Sequence, residues 1–158
     1  MTILTEIDLD APVLANHEIG MDAPLAIAWN LLIDVNSWKY WNPEITFARL
    51  DGEFVTGASF EWESYEFPVT STIYQVDLHR RVLWGGIANG VTARHEWLFT
   101  KSNDGVHVQT RESFAGAPVD ADEAGMQTML DQSLSTWLGR IKDAALSKSG
   151  TDAGLGDI

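Results

Sequence analysis

The sequence contains no cysteine, few basic residues and no long apolar run. The absence of cysteine excludes disulfides, thiolate metal sites and a cysteine nucleophile. The longest apolar stretch, Ala23–Ile33, is shorter than the roughly 18–20 residues of a membrane span, and Asn30 interrupts it. Residues 1–10 are acidic and lack both the basic n-region and the apolar h-region of a signal peptide. We therefore expect a cytoplasmic protein.

Acidic residues outnumber basic ones, with 23 Asp and Glu against 10 Lys and Arg, and the formal net charge is −13. Binding to nucleic acid needs clustered Lys and Arg, so this balance argues against a nucleic-acid partner. It is typical of a soluble protein. The 4 histidines match no metal-binding motif, and no phosphate loop or Rossmann fingerprint is present, so we expect no metal and no cofactor.

The length of 158 residues is typical of one domain. The last ten residues are rich in Gly and Asp, and the first residues are mixed and acidic. Such ends are usually weakly ordered. We therefore expect one folded domain over residues 12–147, a flexible lead-in over 1–11 and a flexible tail over 148–158.

The hydrophobic pattern predicts an α+β protein. In the middle of the chain apolar residues alternate with polar ones, and the breaks carry turn residues such as Asn89-Gly90. Over residues 121–147 apolar residues instead recur every three or four positions, which predicts a long helix with one apolar face. Successive strands with short connections favour an antiparallel meander, on which this helix should lie. The predicted strands are His17–Met21, Ile45–Leu50, Ala58–Tyr65, Val69–Val76, Val82–Ile87, Val91–Thr100 and Val106–Ala115, and the short helices are Leu25–Ile33 and Ser37–Trp41.

The last two predicted strands form a hairpin that brings two titratable residues together. His95 and Glu112 are the polar exceptions on otherwise largely apolar faces, so both should point inward. A turn at Asn103-Asp104 places them directly opposite each other. A turn at Asp104-Gly105 pairs Glu112 with Trp97 instead and leaves His95 a diagonal neighbour, about 7–8 Å away. Both registers keep the same faces inward.

An inward pair of His95 and Glu112 has two interpretations. Burial raises the pKa of a carboxyl group, and a neighbouring imidazolium lowers it, so the pair could act as general acid and base near neutral pH. Alternatively, it is a structural pair in a polar cavity, since structural ion pairs also perturb pKa values. The sequence alone leaves both interpretations open.

The 7 tryptophans provide the second functional signal. Most should fill a large core, but a few could line a cavity under the long helix and offer flat faces to a ring-bearing ligand. Ser71 alternates with apolar neighbours and could also point inward, although a core hydroxyl is the simpler role. The predicted ligand-binding residues are Trp38, Trp41, Phe60, Trp62, Ser71, Trp84, Trp97, Thr110, Met126, Leu130 and Leu134.

A set of short motifs is spread over residues 12–147. They are Ala23-Pro24, Ala28-Trp29, Leu31-Leu32, Asp34, Trp38, Trp41-Asn42-Pro43, Gly57, Phe60, Trp62, Ser71, Val76, Arg81, Trp84, Gly86, His95, Trp97, Glu112-Ser113, Gly116, Leu134, Trp137-Leu138 and Ile141-Lys142. Together these motifs resemble the START-like (SRPBCC) superfamily, and within it the polyketide cyclase/dehydrase and lipid-transport branch.

This resemblance implies a helix-grip fold, in which a curved seven-stranded antiparallel sheet surrounds a long C-terminal helix and encloses a hydrophobic cavity. Two short helices follow the first strand. Similar proteins include aromatase/cyclases, hormone and alkaloid binders, lipid carriers and chaperone co-activators. The resemblance implies no shared catalytic set, and it supports only the cavity-facing placement of His95 and Glu112.

Three functions remain open at this point. The first is an enzyme that cyclises or dehydrates a small hydrophobic, polyketide-like molecule, with His95 and Glu112 as catalytic residues. The second is a carrier or sensor that binds a lipid, quinone or aromatic metabolite unchanged. The third is a protein-binding co-activator, which should expose a docking patch that the sequence does not locate. We expect a monomer or homodimer.

Overall fold

The structure, a computed structural model, describes residues 4–64 and 67–156. Its seven strands form one antiparallel sheet, and the edge strands are the first two in the chain. The strands are β1 (Val13–Met21), β2 (Ile45–Arg49), β3 (Ser59–Ser64), β4 (Phe67–Asp77), β5 (Arg81–Ala88), β6 (Val91–Ser102) and β7 (Gly105–Ala115), and the helices are α1 (Leu25–Ile33), α2 (Trp38–Trp41), α3 (Ala117–Ala121) and α4 (Glu123–Gly156). The strand order is β1-β7-β6-β5-β4-β3-β2.

This architecture confirms the predicted helix-grip fold, including the two short helices after the first strand. Several boundaries differ from the prediction. β1 begins at Val13, a 3₁₀ turn at Val35–Ser37 precedes α2, and the short helix α3 was not predicted. α4 continues beyond residue 147. Tyr65, the end of one predicted strand, lies outside the described residues.

Helix α4 lies on the inner face of the sheet, with its main strand contacts to β1. The apolar stripe predicted from the three- and four-residue spacing is buried there. Docking on the sheet is favourable because it removes a continuous row of large apolar side chains from water. Neither α4 nor any other described helix is long and apolar enough to cross a membrane. The buried residues of the stripe are Leu130, Leu134, Trp137, Leu138, Ile141 and Ala145.

The outer face of the sheet is not uniformly solvated. Glu96 lies on the face opposite His95, yet it is only 2% exposed. Its two carboxylate oxygens accept hydrogen bonds from Nε of Arg81 and Nε of Arg111, each at 2.7 Å. Alternation along β7 predicts that Arg111 lies on a solvated outer face, but this side chain pairs with a buried charge that would be costly if left alone.

The lead-in segment covers this part of the outer face. Ile7 is buried, and backbone groups of residues 4–8 bond to side chains of four different strands. These contacts explain why Glu96 is shielded from water. The flexibility expected for residues 1–11 stays a prediction, but the segment has a defined position from Leu4 onward. The four bonds join Gln75 to Leu4, Arg81 to Thr5, Arg94 to Glu6, and Asp8 to Ser113.

Candidate functional site

His95 on β6 and Glu112 on β7 are directly opposite one another on the inner face. The hairpin therefore turns at Asn103-Asp104, and the first of the two predicted registers is confirmed. Nδ1 of His95 lies 3.5 Å from Oε1 of Glu112, and the two side chains are 4% and 13% exposed. Both titratable groups are thus held close together and almost out of water.

Burial determines the charge of this pair. Removal from water penalises the ionised forms, so it raises the pKa of Glu112 to about 8 and lowers the pKa of His95 to about 3. At neutral pH the carboxyl group is therefore protonated and the imidazole is neutral. One group is ready to donate a proton and the other is ready to accept one.

The second ring nitrogen of His95 is bound by Thr110. Nε2 lies 2.7 Å from Oγ1 of Thr110, and this hydroxyl donates a hydrogen bond of 2.9 Å to the backbone carbonyl of Glu96. Thr110 is completely buried. The sequence predicts a ligand contact for Thr110, but in the structure its hydroxyl is engaged by two groups of the protein.

Three tryptophans surround the imidazole of His95. The ring centroids of Trp84, Trp97 and Trp137 lie 5.1, 5.3 and 6.3 Å from it. The predicted ligand-binding set includes Trp84 and Trp97 but omits Trp137. Its position three residues after Leu134 on the apolar stripe was the signal that could have included it.

Three further predicted tryptophans, Trp38, Trp41 and Trp62, form a second layer around Trp137. Trp38 contacts Trp137 edge-on at 5.1 Å, and Trp41 does so at 5.9 Å. Ser71 points inward as predicted, and its hydroxyl accepts a hydrogen bond from the indole N–H of Trp62 at 3.0 Å. The structure thus brings together Trp38, Trp41, Phe60, Trp62, Ser71, Trp84 and Trp97 in one cluster.

The predicted residues of α4 lie in a different cluster. Met126, Leu130 and Leu134 pack with residues of β1 and β7 rather than with the tryptophans. Ala15 belongs to this second cluster and lies opposite Glu112 across β1 and β7. The polar pair therefore sits where an aromatic cluster meets an aliphatic one.

A groove of about 890 Å³ opens between α1, α2, the β2–β3 connection and the C-terminal half of α4. Trp41 and Phe54 are among its lining residues, whereas His95 and Glu112 are not. Trp41 contacts Trp137, which in turn contacts His95. The groove is therefore separated from the buried pair by tryptophan rings. Sequence reasoning missed Phe54, which lies in a connection without periodicity.

Among residues 4–64 and 67–156, no group of three or more His, Asp or Glu side chains is arranged to hold a metal ion. His17 bonds to Asp131 of α4 at 2.8 Å, and it lies directly opposite Thr110 in the pairing of β1 with β7.

Solved structures with the same fold confirm the architecture but differ strongly in sequence. A hypothetical protein from Helicobacter pylori has a TM-score of 0.77 at 17% identity, over 92% of this chain and 99% of its own. A START superfamily protein from Mycobacterium smegmatis has a TM-score of 0.70 at 9% identity, over 85% and 97%. The di-domain ARO/CYC protein BexL has a TM-score of 0.70 at 13% identity, over 86% of this chain and 51% of its own.

No curated protein matches the sequence. The family model described as polyketide cyclase / dehydrase and lipid transport matches residues 13–145, which is nearly the whole of the predicted domain. This match covers β1 through most of α4, including both members of the buried pair. The chain therefore belongs to the polyketide cyclase / dehydrase and lipid transport family.

Proposed function

We propose that the protein binds a small hydrophobic, polyketide-like molecule in its interior and catalyses its cyclisation or dehydration without a cofactor. The observation that carries this proposal is the buried pair of His95 and Glu112, both neutral at pH 7, inside a shell of tryptophans. A neutral imidazole and a protonated carboxyl group form a general base and a general acid at the pH where both are needed. His95 and Glu112 are the proposed catalytic residues.

In the proposed chemistry His95 accepts one proton from the substrate and Glu112 donates one proton to it. Nδ1 of His95 takes a proton from a C–H group next to a substrate carbonyl. In a dehydration Glu112 gives its proton to the leaving hydroxyl, which departs as water. In a cyclisation the carbanion attacks a second carbonyl carbon, and Glu112 protonates the oxygen that becomes a hydroxyl. Both reactions leave an imidazolium and a carboxylate.

The close distance within the pair then restores the starting state. Nδ1 of His95 and Oε1 of Glu112 are 3.5 Å apart, so a small movement returns the proton to the carboxyl group. The low polarity of the shell favours this return, because it disfavours the separated charges. No external proton donor is needed, which suits a site with so little exposure to water.

The surroundings support a ring-bearing ligand with carbonyl oxygens. Flat indole faces favour stacking with rings. The buried indole N–H groups of Trp41 and Trp97 have no acceptor among the described residues, and carbonyl oxygens would supply one. Because Trp41 and Trp137 lie between the groove and His95, these rings must move for a ligand from the groove to reach the pair.

Two measurements test the proposal. Native mass spectrometry of the purified protein, followed by denaturation, identifies any molecule it carries. A panel of linear poly-β-carbonyl thioesters is then assayed for loss of water or ring formation. His95→Ala should lower turnover by roughly 10²- to 10⁴-fold, the usual contribution of general acid–base catalysis, while affinity stays within a few-fold. His107→Ala, at a partly exposed histidine of β7, is the matched control.

Two results would contradict an enzymatic role. The first is a parallel loss of binding and turnover in His95→Ala, because a catalytic base contributes to the chemical step and not to affinity. The second is recovery of one bound metabolite unchanged, with no conversion of it or of the thioesters. That result would favour the carrier function.

A further inference from the structure

The hydroxyl group of Thr110 lies between the imidazole of His95 and the backbone carbonyl of Glu96. Its Oγ1 atom is 2.7 Å from Nε2 of His95 and 2.9 Å from the backbone carbonyl oxygen of Glu96. A carbonyl oxygen only accepts hydrogen bonds, so the single hydroxyl proton of Thr110 is used on Glu96. The oxygen of Thr110 then serves as an acceptor toward the imidazole.

This proton count selects one tautomer of His95. A neutral imidazole carries one N–H, and the acceptor facing Nε2 requires that proton to be on Nε2. Nδ1 is then left with its lone pair, 3.5 Å from Oε1 of Glu112. With the opposite tautomer, the hydroxyl of Thr110 would have to donate its proton to Nε2. The carbonyl oxygen of Glu96 would then lose its hydrogen bond from Thr110.

The acceptor that holds the hydroxyl proton is itself well fixed. The side chain of Glu96 is bound on the outer face by Arg81 and Arg111, at 2.7 Å each. The lead-in segment covers this clamp, with the carbonyl of Thr5 bonded to Arg81. The backbone at Glu96 is thereby held from both faces of the sheet, which keeps its carbonyl in place for Thr110.

We propose that Thr110 is a positioning residue, which holds His95 in the Nε2–H tautomer and so presents the basic Nδ1 to Glu112 and the substrate. Thr110 was expected to contact the ligand, and its two hydrogen bonds give it this different role. The tautomer assignment can be measured without any substrate. Only its consequence for turnover rests on the proposed function.

The tautomer is tested by NMR of protein labelled with ¹⁵N-histidine, using long-range ¹H–¹⁵N correlations at pH 7. The signals of His95 are identified by their loss in His95→Ala. We expect a protonated Nε2 and an unprotonated Nδ1 in the wild type and in Thr110→Ser. In Thr110→Val the acceptor is removed with little change of shape, and the N–H should move to Nδ1, where the carboxyl group of Glu112 can accept it.

The proposal is overturned if the wild type carries its proton on Nδ1, or if folded Thr110→Val keeps the Nε2–H tautomer. Should Thr110→Val fail to fold, the wild type and Thr110→Ser still decide, since a proton on Nδ1 in either contradicts it. With an active thioester, kcat should fall roughly 10²-fold in Thr110→Val and recover in Thr110→Ser. If the tautomer shifts in Thr110→Val but kcat does not fall, Thr110 still sets the tautomer of His95, and the catalytic role proposed for His95 is refuted.

Discussion

The pKa of Glu112 makes a quantitative prediction about stability. The perturbation is Glu112→Gln, which keeps the shape of the side chain but removes its titration. In the folded protein burial raises the pKa of Glu112 from 4.5 to about 8, whereas the unfolded chain returns to the ordinary value. Between these values the folded state binds more protons than the unfolded state. The stabilising contribution of Glu112 to the free energy of unfolding is therefore fully present below pH 4.5, and it is lost as the pH rises toward 8.

The magnitude follows from the size of the shift. Inside this window each pH unit changes the free energy of unfolding by about 1.4 kcal/mol per proton. From pH 5 to pH 7.5 the wild type should therefore lose about 3 kcal/mol relative to Glu112→Gln. His95 has the opposite sign, since its lowered pKa favours folding increasingly from about pH 3 to 6.5. That contribution is present in both proteins and is removed by the comparison.

The assay is urea denaturation of both proteins at pH 5, 6, 7 and 7.5, followed by tryptophan fluorescence. The control is Glu61→Gln, which makes the same substitution at an exposed position of β3. A constant difference for Glu112→Gln would refute the reasoning. It would mean that the carboxyl group of Glu112 is already ionised in the folded protein at pH 5.

Two further predictions concern activity and the outer face. Turnover with an active substrate should fall above about pH 8, where Glu112 loses its proton. It should persist at pH 5, because the pKa of His95 is lowered to about 3. A kcat/KM that decreases as the pH is lowered from 6.5 to 5 would contradict a neutral His95. Glu96→Ala should destabilise the fold by about 3 kcal/mol, the lower end for breaking a buried ion pair, because Arg81 and Arg111 keep partial contact with water. Urea denaturation measures this loss, with Glu61→Ala as a control expected within about 0.5 kcal/mol of wild type; an equally small effect for Glu96→Ala would show that the clamp contributes little.

The sequence alone determined the architecture and the central pair. The backbone geometry of a strand or helix fixes which side chains share a face. The alternation at period two and the three- and four-residue spacing of the last helix therefore show the type of each element directly in the sequence. The same alternation placed His95 and Glu112 on one face, at most a diagonal apart. It left two registers open, and the strand pairing in the structure selected the one with the turn at Asn103-Asp104. The inward position of Ser71 follows from the same rule.

Tertiary structure decided everything that depends on segments distant in the chain. Alternation assigns Glu96 to the outer face, but its burial there depends on distant segments. Arg81 and Arg111 bind its carboxylate, and residues 4–8 bond to side chains across the same face. Alternation also places Thr110 inward, yet its hydrogen bonds to His95 and Glu96 depend on the exact pairing of two strands. The contact of Trp137 with His95 likewise requires α4 to be docked on the sheet. Burial and hydrogen-bond partners come from three-dimensional neighbours, and periodicity records only the face on which a residue lies.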